Sequence, residues 1–281
     1  MNSALGTRVV TAIALVAVVL GALFLLPPSG WGVVVLLVVV AAAREWANLV
    51  GFGTRGRMVF VAVTLLAGAL LLWAMAGHGA ARGIVIVACG VATLFWVFVG
   101  TPSVLVRWRP ASPVALAVAG WIVLLGALVA IVALQSHSPW LALAAMALVW
   151  IADTAAYFAG RRFGRRKLAP RISPGKTREG AYGGVAAVVV YALALLPLAA
   201  RAGFAGPIDA ASVALWIAFS AALAALSIVG DLYESLLKRG AGAKDSGALL
   251  PGHGGVLDRT DALLAAMPPA ALAAMAFLAR P

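Results

Sequence analysis

The residues able to do chemistry crowd into two short segments of this 281-residue chain, and the richer one reads GDLYESLLKRGAGAKDSGALLPGHGGVLDRTD, residues 230–261. Asp231, Glu234, Ser235 and Lys238 fall at i, i+3, i+4 and i+7, one polar stripe if the segment is helical. Asp258 and Asp261 repeat the three-residue spacing where a new apolar run opens. That pair is open to two readings. Asp258 can be a helix N-cap with Asp261 as its capping-box partner, or carboxylates from two helix ends can converge on a hard divalent cation. Magnesium takes one or two carboxylates and completes its shell with phosphate oxygens, so Asp231, Asp258 and Asp261 are enough. Between them, Gly252, Gly254 and Gly255 permit close backbone approach or positive φ, His253 can donate to a phosphate and Arg259 can clamp one.

The second segment is IADTAAYFAGRRFGRRKLAPRISPGKTREG, residues 151–180. Asp153 and Tyr157, one helical turn apart, share a face, although Asp153 is also readable as a satisfied interhelical hydrogen bond. Beyond them the chain is glycine-punctuated, rich in Arg and Lys, and broken by Pro170 and Pro174, so no continuous helix runs through it. Backbone amides beside cationic side chains suit a phosphate. Gly175-Lys176-Thr177 has the look of a P-loop, but the glycine required five positions before Gly175 is Pro170, and the P-loop reading is rejected.

The elements that must position these residues are membrane helices. A mean hydropathy of +1.07 with 11% charged residues is far from a soluble composition. A span needs about 20 apolar residues. The expectation is an all-α polytopic integral membrane protein with about nine transmembrane helices, near 8–26, 31–49, 58–76, 83–100, 114–134, 140–159, 181–200, 210–230 and 261–279. The first is read as a span and not a leader, since no clear small-residue cleavage site follows it. A lone cysteine, Cys89, allows no internal disulfide or thiolate metal cage.

The net charge of +12 is explained by retention of Lys and Arg on the cytoplasmic side, without nucleic acid as a partner. With the N-terminus cytoplasmic, 18 of the 21 basic residues lie inside and only Arg82, Arg201 and Arg280 outside. Arg44, Arg55, Arg57, Arg107 and Arg109 read as topological only. Acids carry no such duty and are costly near lipid. Seven of the nine cluster around the two segments above; the first half of the chain offers little chemistry. Residues 1–110 are therefore read as a scaffold of lipid-facing helices. Residues 111–281 are read as the catalytic region, with cytoplasmic loops at 160–180 and 231–260.

The 230–261 segment resembles the signature of bacterial phosphatidate cytidylyltransferases (CDP-diacylglycerol synthases), met here by Ser235, Lys238, Arg239, Lys244, Asp245, Pro251 to Gly255, Asp258, Arg259 and Asp261. The other segment is similar through Asp153, Tyr157, Gly160, Ser173, Pro174, Lys176, Thr177, Glu179 and Gly180. Gly175 departs from the second basic or polar residue often found there, which leaves Lys176 as the phosphate contact. The resemblance implies that CTP and phosphatidic acid are joined to CDP-diacylglycerol and pyrophosphate at the cytoplasmic face of a bacterial inner membrane. It implies Mg²⁺, with K⁺ as a candidate second cation, and a homodimer. Asp231 and Asp258 then hold metal with Asp261 in support, and Lys238, Arg239, Lys244 and Arg259 divide between the substrates. The nucleophile, a phosphate monoester with a second pKa near 6, is largely dianionic at neutral pH and needs no strong base. Two other readings stand beside this one: a CTP-dependent lipid or polyprenol kinase, and an ion-coupled transporter. A CDP-alcohol phosphotransferase is disfavoured, because its Asp-Gly-x-x-Ala-Arg motif is absent.

Overall fold

A computed structural model describes residues 3–77, 81–201, 209–250, 252 and 254–278, with the side chains of 3–10, 12, 277 and 278 outside the description. The protein is an all-α polytopic membrane protein. Each expected span coincides with a helical rod: α1 (Ser3–Leu25), α2 (Pro28–Val50), α3 (Thr54–Ala76), α4 (Ala81–Phe95), α6 (Pro113–His137), α7 (Pro139–Phe163), α8 (Arg178–Arg201), α9 (Ala210–Gly240) and α10 (Leu257–Leu278). Helix α4 runs through a π turn (Trp96–Gly100) into α5 (Thr101–Val106). Among the described residues, seven rods are long and apolar enough to cross a membrane, counting Ala81–Val106 as one, and α1 adds a shorter apolar stretch, Ile13–Leu25.

Two local features depart from the sequence reading. Segment 231–240, expected as loop, continues α9 as helix, because the residues after Asp231 are good helix formers and Glu234 pairs with Lys238 across one turn. Segment 160–180 contains a small antiparallel hairpin, β1 (Lys167–Ala169) with β2 (Ser173–Thr177), in which Lys167 faces Thr177 and Ala169 faces Ser173. Pro170 sits at its tip, where no ladder donor is needed. The π turn also has a local cause. Pro102 has no N–H to offer the carbonyl one turn back, and the Thr101 amide and hydroxyl both turn to the Trp96 carbonyl.

Helix α6 runs through the middle of the bundle, with Val123, Leu124, Ala127, Leu128, Val129 and Ala130 sealed from outside. Lipid is as apolar as the helices, so association must come from close packing and interhelical hydrogen bonds. Both are present. Trp46 Nε1 on α2 donates to the Leu116 carbonyl on α6 at 2.9 Å, and Trp96 Nε1 donates to the Leu264 carbonyl on α10 at 2.9 Å. The buried ring of Tyr233 on α9 lies among Trp46, Phe95 and Trp96, with centroids 6.4, 5.7 and 5.5 Å away. Helices α7 and α8 meet backbone to backbone: a Cβ on Gly180 or Gly184 would stand 2.7 Å from the carbonyl of Ala156 or Ala152. That contact fixes the base of the hairpin.

A Cβ on Gly120 would lie 2.5 Å from Trp46 Nε1. Gly120→Val should therefore displace the indole, break its bond to Leu116 and cost about 2–4 kcal/mol through overpacking and a lost buried hydrogen bond. A lowered thermal unfolding midpoint in detergent, relative to Gly120→Ala and the parent, checks this.

Candidate active site

One end of the bundle collects the C-terminal ends of α2, α7 and α9 and the N-terminal ends of α8 and α10. The decisive contact is between α9 and α10. A Cβ on Gly230 would fall 2.5 Å from the Asp261 carbonyl oxygen, so the two backbones touch there. The next residue, Asp231, is thereby brought within electrostatic reach of Asp261. Lys176 Nζ, delivered by β2, stands 2.7 Å from Asp231 Oδ2. Asp153 on α7 lies within electrostatic range of both Lys176 and Asp231, and Ser235 Oγ donates to Asp231 Oδ1 at 3.4 Å.

A second, more enclosed group lies farther along the stripe. Lys238 Nζ is 2.5 Å from Glu234 Oε2 and 2.6 Å from Asp258 Oδ1. Asp258 Oδ2 accepts the Ser246 amide at 3.0 Å and the Gly255 amide at 2.8 Å. Glu234 is 2% exposed, and its Oε1 meets no donor among the described residues. The two groups differ in access. The Lys176 and Asp231 side chains retain 25% and 30% exposure, whereas those of Lys238 and Asp258 retain 12% and 8%.

Five carboxylates, Asp153, Asp231, Glu234, Asp258 and Asp261, thus share two ammonium groups, Lys176 and Lys238, through the contacts described. The excess of carboxyl over ammonium groups and the unpartnered Glu234 oxygen offer oxygen ligands of the kind a cation takes. Among the described residues no three His, Cys, Asp or Glu side chains converge closely enough to hold a metal by themselves.

Other sequence-selected residues occupy less direct positions. Thr177 Oγ1 accepts the Gly180 amide at 3.1 Å and caps the start of α8. Glu179 accepts the amides of Arg165 and Arg166 at 3.0 and 3.1 Å, pinning the turn before the hairpin. Arg239 Nε donates to the Ile172 carbonyl at 3.3 Å and ties the hairpin to α9. Lys238, expected on a substrate, is committed to two carboxylates. Tyr157 is exposed, and its hydroxyl accepts from Arg161 at 3.4 Å. Ser173 opens β2, while Lys244 and Arg259 are exposed. Gly252 and Gly254 have φ of +76° and +81° in the turn closed by the Leu250 amide on the Gly254 carbonyl. His253 lies outside the described residues. Asp258 is not the N-cap of α10 but sits in its first turn, reaching back to Gly255. Arg109, read as topological, packs its guanidinium against Gly240 at the C-terminal end of α9, where a cation meets the negative end of the helix dipole.

The sequence reading missed Glu45. This α2 residue, assigned to scaffold, is 5% exposed and accepts from Ser246 Oγ at 2.8 Å, Val256 N at 3.0 Å and Leu257 N at 2.8 Å. Gly255, expected against a ligand, has this carboxylate where its Cβ would be: the nearest Glu45 oxygen would be 2.3 Å away. The signal was available, since Glu45 is the sole acid before Asp153 and falls inside a predicted span.

The chain matches the family model described as the cytidylyltransferase family over residues 6–277. It is similar to the phosphatidate cytidylyltransferase of Pseudomonas aeruginosa, 38% identical over 274 residues that cover 93% of each chain. The protein of that name from Haemophilus influenzae is 46% identical over 132 residues, 47% of this chain and 44% of the relative. The one from Bacillus subtilis is 44% identical over 124 residues, 44% of this chain and 43% of the relative.

Glu179 holds backbone amides of the 165–166 turn. Removing the acceptor in Glu179→Ala should let this Arg-rich segment open more often, with trypsin cleavage after Arg165 or Arg166 accelerating about tenfold, the equivalent of one charged hydrogen bond. Limited proteolysis in detergent, with cleavage sites read by mass spectrometry, measures it.

Proposed function

The chain belongs to the cytidylyltransferase family, and from that premise we propose that it condenses CTP with phosphatidic acid, yielding CDP-diacylglycerol and pyrophosphate as a nucleotidyltransferase of phospholipid biosynthesis. The observation that carries this reading is the open Lys176–Asp231 pair beside Asp261, a cationic arm and a carboxylate pair at one end of a membrane bundle. There a lipid phosphate anchored by its acyl chains can meet a nucleotide from water.

A phosphate oxygen of phosphatidic acid attacks the α-phosphorus of CTP. The new P–O bond forms as the bond to the β-phosphate bridging oxygen breaks, and pyrophosphate departs with that electron pair. Because the nucleophile is largely dianionic, the residues must bring two polyanions together and offset charge on the leaving group rather than remove a proton. Lys176, on a hairpin strand with open space around Gly175, is suited to contact a phosphate. Arg259, next to Asp258, and Lys244, two residues before Ser246, are exposed. Arg239 acts from behind by holding the hairpin. Mg²⁺, when bound, would be held by Asp231 and Asp258 with Asp261 in support, and supplies charge neutralisation at the phosphates; K⁺ is the candidate for a second cation. The reading also has the N-terminus and the site facing the cytoplasm of a bacterial inner membrane, and a homodimer as the working unit. The basic residues assigned to the inner side support that orientation, for Arg109, Lys176, Lys238 and Arg239 all meet at the same end of the bundle.

The test is purified protein in detergent with phosphatidic acid, Mg²⁺ and CTP labelled at the α-phosphorus. Label should enter lipid with one pyrophosphate released per lipid formed. CDP together with a phosphorylated alcohol would instead show kinase chemistry. In the same assay Asp258→Ala should lower turnover per folded molecule by about 10²–10³-fold, the scale of losing a group that stabilises developing charge, beyond any fall in thermal midpoint from unpairing the enclosed Lys238. Lys176→Ala should cost at least about 30-fold, whereas Gly175→Lys, whose side chain would enter open space, should stay within about threefold of the parent by the usual scale of neutral surface changes.

A further inference from the structure

The geometry assigns Glu45 and Ser246 as positioning residues for the reaction: a buried carboxylate from the second helix, acting through Ser246 and the first turn of α10, fixes where Asp258 points. The inference rests on the functional reading above and deepens it. Glu45 Oε2 accepts from the Leu257 amide at 2.8 Å and from the Ser246 hydroxyl at 2.8 Å, while Oε1 accepts from the Val256 amide at 3.0 Å. Two of the donors are backbone amides where α10 begins, groups with no partner inside their own helix and carrying the positive end of its dipole. A carboxylate supplied by α2 thus does from across the fold what a local capping residue ordinarily does.

Ser246 couples this cap to the site. Its hydroxyl goes to Glu45 and its own amide goes to Asp258 Oδ2 at 3.0 Å, the oxygen that also receives the Gly255 amide. Asp258 Oδ1 is left for Lys238. One oxygen of Asp258 is therefore spent on backbone that Glu45 holds, which sets the direction of the other toward Lys238. The fit is tight. A Cβ at Gly247 would stand 2.4 Å from Glu45 Oε1, and one at Gly255 would stand 2.2 Å from Ser246 Oγ. Two glycines of the loop thus make room for this contact.

The experiment compares Glu45→Gln, Glu45→Ala and Ser246→Ala in purified full-length protein, with two readouts. Hydrogen–deuterium exchange without added Mg²⁺ should show the amides of Val256 and Leu257 exchanging at least about tenfold faster in both Glu45 variants, one charged hydrogen bond's worth. Steady-state kinetics per folded molecule should show kcat reduced at least about 30-fold in Glu45→Ala with KM for CTP within about threefold, the pattern of a misplaced group. Glu45→Gln, which keeps one acceptor oxygen, should recover part of the loss, and Ser246→Ala should lower kcat several-fold.

Faster exchange with unchanged kcat would mean that Glu45 only stabilises the fold, and would overturn the proposal. Unchanged exchange would overturn it too. Should Glu45→Ala fail to fold, the Gln and Ser246 variants decide the matter by the same criteria. If the parent protein makes no cytidylyl lipid, the functional reading fails, while the exchange data still judge the cap.

Discussion

Everything at the site depends on two helices touching through bare backbone. At Gly230 the α9 chain meets the Asp261 carbonyl with no room for a methyl group. In lipid there is no hydrophobic gain from bringing helices together, so such an approach must be supported by packing on both sides. Here Tyr233, one turn along α9, is boxed in by Trp46, Phe95 and Trp96, and Trp96 in turn hydrogen-bonds Leu264 on α10. The aromatic box secures the approach, and the approach puts Asp231 beside Asp261. Carboxylates so close repel one another. The repulsion is tolerated because Lys176 reaches in from the hairpin and Lys238 lies between Glu234 and Asp258.

The two ion pairs share a chemistry but sit in different surroundings. Lys238 is enclosed, and burying its charge is affordable only with both carboxylates in contact. Removing Lys238 would leave both carboxylates without their cation. Lys176 is borne on a short strand and is more open, where ion pairs are weaker and exchange partners readily. The enclosed pair ties α9 to α10, and the open pair is the more accessible of the two. Glu179, Thr177 and Arg239 determine where that strand begins and ends, which accounts for polar residues beside the site that bond only to backbone.

Much of this was legible in the amino-acid order. The positions of the long apolar helices follow from hydropathy, since a membrane crossing demands an uninterrupted apolar run. The Asp231–Glu234–Ser235–Lys238 stripe follows from helical periodicity, and its internal contacts match that spacing. The continuation of α9 to Gly240 was harder to see, because the apolar signal stops at Asp231 while helix propensity does not. The hairpin was hidden by prolines that argue equally for a loop. Glu45 stood out as an acid inside a span, but what it bonds was hidden: its partners stand more than 200 positions away, and no local pattern encodes a contact of that range. Lys238 shows the converse limit. Helical spacing accounts for the Glu234 contact of that lysine, but only the fold brings Asp258, twenty positions on, to its other side.

The long reach of Glu45 bears on how the protein is made. Ser246, Val256 and Leu257 emerge from the ribosome 201 to 212 residues after Glu45. At about 5–20 residues per second that is roughly 10–40 s of synthesis. During this interval α2 is already inserted and must hold an acid that has nothing yet to cap. The last helix is thus the keystone of assembly: before α10 arrives, Glu45, Lys238 and the Gly230 face are all waiting for the same segment. A chain that stalls short of α10 has Lys176 and Asp231 but lacks Asp258 and Asp261, so its carboxylate cluster stays incomplete.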